Sequence, residues 1–232
     1  METKTLFEHS LAGRMWTHSW LLTLGISSLF LVYVYFLDGS LSTLLSWSKV
    51  IAGTSAVVLG IAFSLGSIGY YFDFLDKQVL YRKYLGLVGF WLALFYSIML
   101  LFVNPNRYFF GFFDNLFSAD FIFGLSAMTI LTMMALISNV PMMKWLGPER
   151  WRSLLSLGYV AYALLVIRAV FIEWDMWVHW WQTPESGLAP ARLVISLFAV
   201  LVLLLRISVP FHKLFQAKSP VLPVTGVTNT GA

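Results

Sequence analysis

Cysteine is absent from this 232-residue chain. That excludes disulfide staples, thiolate ligation of iron–sulfur clusters and thiol nucleophiles. Charge is scarce as well: Asp, Glu, Lys and Arg together make up 11% of the residues, against about 25% in an average soluble chain. So few charges cannot coat a globule of this size. Disorder is excluded by the same arithmetic, since 59% of the residues are hydrophobic. Soluble-enzyme motifs are missing too, with no glycine-rich phosphate loop and no His-Glu-x-x-His zinc pair. Only four histidines occur, His9, His18, His179 and His212, and each reads as interfacial, away from any span centre.

What is present is long apolar runs. A helix needs about 20 mostly apolar residues to cross roughly 30 Å of hydrocarbon. Six stretches meet that length, at about 17–37, 50–72, 84–104, 120–140, 153–172 and 191–210. The runs are continuous, whereas barrel strands alternate apolar and polar over about 10 residues. The expected fold is therefore all-α, a six-span polytopic bundle over 17–212, with a segment 1–16 before it and a tail 213–232 after it. Glu2, Lys4, Glu8 and Arg14 make the first residues unlike a simple basic leader, so the first run reads as a retained span. The tail from about 214 carries Pro, Gly, Thr and Ser without periodicity and reads as a flexible peptide.

Basic residues sort by side. Lys4, Arg14, Lys77, Arg82, Lys83, Lys144, Arg150, Arg152, Lys213 and Lys218 fall on one side, and only Lys49, Arg107 and Arg192 on the other. By the positive-inside rule both termini are expected in the cytoplasm. The net charge of +4 then suits anionic lipid headgroups, and no nucleic-acid partner is needed to explain it.

Arg168 and Arg206 lie within spans. Arg168 sits roughly 22 Å from the inner end of its helix, where an intramembrane charge is either functional or a paired or snorkelling group; Asp120 and Glu173 are the candidate partners. Arg206 reads as a snorkelling residue. Ala56, Gly60 and Ser64, with Gly53, Gly66 and Gly69 nearby, have the small-residue spacing that lets helices approach closely, whether within this bundle or against a partner. Four of the ten tryptophans fall in one octapeptide, Trp174, Trp177, Trp180 and Trp181. They suggest an interfacial helix in the outer headgroup belt or an aromatic platform for a partner, lipid, pigment or quinone.

Three passages carry a family resemblance: Arg82-Lys-Tyr-Leu-Gly-Leu-Val-Gly-Phe-Trp-Leu-Ala-Leu-Phe-Tyr96, Ile137-Ser-Asn139 with Trp145-Leu-Gly147, and Arg150-Trp-Arg-Ser-Leu-Leu-Ser-Leu-Gly-Tyr159. Over roughly 80–172 the chain resembles the ferric-reductase-like transmembrane domain, in particular the bacterial haem-binding membrane subunit of methionine sulfoxide reductase. The resemblance implies a helical bundle. The positions where that family places haem-ligating histidines read here as Tyr96, Leu155 and Arg168, so it does not imply haem, and Tyr96 is expected to face Arg168. No flavin or nicotinamide domain is expected.

These readings converge on a non-catalytic accessory or scaffold subunit of a larger membrane complex, photosynthetic or respiratory, in a bacterial cytoplasmic membrane. Its partners would be lipid and other membrane subunits. No cofactor is expected, with haem, quinone and pigment left open. The alternatives are a redox protein binding b-type haem or quinone through His18 or His212, and a small transporter or channel using Arg168.

Overall fold

The computed structural model describes residues 2–38, 43–72, 80–183 and 188–218. Among them 92% are helical and none is in a strand. The helices are α1 (Glu2–Asp38), α2 (Leu44–Tyr71), α3 (Tyr81–Val103), a π-helical turn (Asn106–Phe110), α4 (Phe112–Asn115), α5 (Ala119–Ile137), α6 (Val140–Leu146), α7 (Pro148–Gln182) and α8 (Ala191–Lys218). Six of them, α1, α2, α3, α5, α7 and α8, are long and apolar enough to cross a membrane, and each contains most of one of the six apolar runs; α7 extends ten residues past its run, and residues 213–218, expected in the tail, continue α8. Residues 2–16 do not form a separate segment but continue α1. Lys77 and residues 219–232 lie outside the described residues. The bundle has a basic end, holding the α2–α3 and α5–α7 connections, and a far end, holding the α3–α5 and α7–α8 connections.

The helix boundaries follow from local chemistry. Thr43 caps α2 by accepting from the Ser46 N–H at 3.2 Å. Asn139 caps α6 by accepting from the Met142 N–H at 2.9 Å, two residues ahead of Pro141. Gly147 turns the chain between α6 and α7 with φ of 77°, a conformation that favours glycine, and Pro148 then opens α7. The Trp151 indole N–H donates to the Ile137 carbonyl at 3.0 Å and so satisfies the end of α5.

The centre of the bundle is α2, which packs on α1, α3 and α8 and touches α7. Half of its most apolar stretch is buried (50%), against 11–22% in the other spans. Its small residues explain this. A Cβ on Gly60 would lie 2.5 Å from both Phe198 of α8 and the Tyr162 hydroxyl of α7, and one on Gly53 would lie 2.6 Å from Phe30 of α1. The small-residue stripe therefore serves this chain's own packing, and the partner-docking reading of it is corrected: the stripe is covered from within. Leu59, Phe63, Phe90, Leu131, Tyr159 and Tyr162 form the core around it.

Three hydroxyls inside the bundle bond across helices to backbone carbonyls, which suits an apolar surrounding. Tyr162 donates to Ala56 at 2.8 Å, Tyr159 to Phe63 at 2.9 Å and Ser55 to Gly89 at 2.9 Å. Tyr162→Phe removes one such bond without changing shape and is expected to cost about 1 kcal/mol, read as a small drop in detergent melting temperature.

Candidate functional site

The polar side chains of the far end meet at Asp120, in the first turn of α5, where the helix dipole favours a carboxylate. Asp120 is 6% exposed and accepts from Arg168 Nε at 2.6 Å through Oδ1. Its Oδ2 takes Arg107 Nη2 at 3.0 Å and the Tyr108 hydroxyl at 3.0 Å. The π-helical turn after Pro105 is what brings Arg107 and Tyr108 to bear on one carboxylate. Gly124, on the next turn of α5, leaves room for Arg168: a Cβ there would lie 3.1 Å from Arg168 Nε. Burial raises the pKa of Tyr108, and the adjacent Asp120 charge raises it further, so Tyr108 remains a neutral hydrogen-bond donor.

Arg168 is thus paired, as one of its readings had it, but with Asp120 alone of its two candidates. Glu173 turns instead to Arg192 at the start of α8, at 2.5 Å, and accepts from the Trp177 indole at 3.3 Å. Arg107 and Tyr108 were not foreseen as members of the group. Two residues thirteen and twelve positions ahead of an acid, across a glycine and a helix start, have no periodic relation to it in sequence.

A cavity of about 280 Å³ adjoins this cluster, lined by Tyr96, Ser97, Tyr108, Asp120, Arg168 and Arg192 among apolar side chains. Tyr96 and Arg168 therefore line one space, as expected of them. Leu155 does not join them. It lines a second cavity, of about 460 Å³ at the basic end, with Phe63, Phe90, Tyr159, Arg82, Lys83 and Arg206. Leu131 is common to both linings. Arg206 lies 4.9 Å over the Tyr159 ring. The Tyr159 ring gives the Arg206 cation an aromatic face to rest on.

The tryptophan segment is the end of α7 itself, which runs unbroken to Gln182. No break sets the segment apart from the span: after Gly158 the helix meets neither glycine nor proline before Thr183. Trp174 and Trp181 are exposed, and Trp177 and Trp180 are half-buried. His18 bonds the Tyr81 hydroxyl at 2.9 Å, and His212 packs on the rings of Tyr70 and Tyr71; neither lines a cavity described above. Among the described residues no three His, Asp or Glu side chains form a metal-holding group. No protein-family model matches the chain, and no curated protein matches it.

Proposed function

We propose that this chain is a non-catalytic membrane subunit, a six-helix scaffold that docks other subunits through its far end. The observation that carries this reading is the aromatic surface there. Phe113, Phe117 and Trp181 are 81%, 85% and 80% exposed, with Phe109, Phe110 and Trp174 also exposed. Large rigid aromatics on a firm base are the usual anchors of protein interfaces. The base is firm because the neighbouring polar groups are committed to one another: Asp120 to Arg168, Arg107 and Tyr108, and Glu173 to Arg192.

We place both termini in the cytoplasm on the basic-residue bias, and the protein in a bacterial cytoplasmic membrane. The resemblance to ferric-reductase-like bundles, carried by 82–96, 137–147 and 150–159, supports an electron-transfer assembly as the setting.

Purification in a mild detergent should yield co-migrating membrane subunits, and Trp174→Ala with Trp181→Ala should release them while leaving the melting temperature unchanged. A chain that runs alone and monomeric in several mild detergents sinks the reading. So does a b-type band in a reduced-minus-oxidised absorbance spectrum.

A further inference from the structure

The inner cavity has a chemistry that neither the core packing nor the far-end surface uses. Its walls are apolar, with Phe63, Phe90, Leu131 and Leu155 facing it, and it is partly open. Its volume of about 460 Å³ lies within the roughly 300–1,000 Å³ of small-molecule sites. Three cations line it, Arg82, Lys83 and Arg206, and no carboxylate does.

Apart from the Ser138 hydroxyl, which adds one small donor, the other polar groups of the lining are already engaged. Trp151 donates to the Ile137 carbonyl, Tyr159 to the Phe63 carbonyl and Ser156 to the Ser153 carbonyl. What the cavity has to offer a ligand is therefore positive charge beside apolar wall. The charge is also held in place. Arg206 rests on the Tyr159 ring at 4.9 Å, and Arg82 lies so close to α2 that a Cβ on Gly66 would be 2.5 Å from its Nη1.

We propose that this cavity binds an anionic phospholipid, with the phosphate against Arg82, Lys83 and Arg206 and an acyl chain against Phe63, Phe90, Leu131 and Leu155. Guanidinium groups match phosphate oxygens in geometry and charge. A free phosphate would leave the apolar wall unfilled, and a zwitterionic headgroup brings a cation of its own to three already there. The site lies at the basic end, where an anionic leaflet concentrates such lipids.

The test uses the full-length chain in detergent, with native mass spectrometry and melting temperature as readouts. Dioleoylphosphatidylglycerol is expected to be retained and to raise the melting temperature, while dioleoylphosphatidylcholine and sodium phosphate do neither. Lys83→Gln removes an exposed cation without disturbing the core, and Leu155→Trp fills the apolar part while keeping every charge. Each should weaken phosphatidylglycerol retention by about tenfold, the scale of one charge-assisted contact. Equal retention of the two lipids overturns the proposal. So does retention indifferent to both substitutions, or stabilisation by phosphate equal to that by phosphatidylglycerol. Trp181→Ala should leave lipid retention unchanged, which separates this site from the docking surface: either can fail without the other.

Discussion

Asp120→Ala is expected to destabilise the folded bundle by about 3–5 kcal/mol, the cost of leaving a buried charge without its partner. The charge left behind is Arg168, whose side chain is only 16% exposed. Arg107 matters less, because it is 44% exposed and can turn to water. The same reasoning ranks the two far-end ion pairs. Arg192 is 40% exposed, so Glu173→Gln should cost no more than about 1 kcal/mol after solvent screening. Removing both charges of the buried pair, as in Asp120→Ala with Arg168→Leu, should recover most of the loss, since an apolar pair of similar volume needs no compensation. Denaturation in mixed detergent micelles measures all three variants on one scale. A double variant as unstable as Asp120→Ala alone would show that the carboxylate acts through Tyr108 and the α3–α5 connection rather than through Arg168.

Gly60→Leu should be the most damaging single change on α2. Its Cβ alone would stand 2.5 Å from Phe198 and from the Tyr162 hydroxyl. Neither neighbour yields easily: Tyr162 is 2% exposed and bonded to Ala56 on the same helix. Overpacking of this kind costs about 1–3 kcal/mol in a soluble core, and three helices must part here, so the upper end is expected. Gly25→Leu on α1 is the control, because nothing lies within 4 Å of a Cβ there. Melting temperature should fall for the first and hold for the second. Had the stripe served a partner, Gly60→Leu would leave the isolated protein intact and abolish only its association.

The number and approximate places of the spans were legible because hydrocarbon thickness acts on every spanning helix alike, and a twenty-residue apolar run has few other readings. Local turns carry their own chemistry: the Asn139 side chain caps α6, and Pro141 and Gly147 bias the backbone by their covalent structure. The quoted Ile137–Gly147 and Arg150–Tyr159 passages contain those capping residues and Trp151, so part of their pattern reflects turn chemistry.

The candidate sites were less legible. Arg168 announced itself as a charge in a span, and Asp120 was nameable by depth. Which of two acids it takes depends on the rotation of α5 against α7, and apolar composition around a spanning helix barely encodes rotation. The inner cavity was invisible for a related reason. Arg82 and Lys83 are ordinary residues at a helix start, Arg206 lies more than a hundred positions away on α8, and only the packing of α2 brings them around one space. The ring under Arg206 was not legible either, because snorkelling is an argument about depth, while the Tyr159 ring is a matter of neighbours.

The length of α7 has a mechanical consequence. Its 35 residues extend about 52 Å at 1.5 Å per residue, far more than the roughly 30 Å of hydrocarbon. α5 has 19 residues and so barely reaches across, at about 28 Å. Beyond Arg168, clamped to the first turn of α5, α7 continues for about 21 Å to Gln182. A change in bilayer thickness therefore loads the two helices unequally: α7 answers by tilting and α5 by drawing the leaflets inward. Asp120–Arg168 is the fulcrum between them, and Glu173–Arg192 couples the swing of the longer arm to the start of α8.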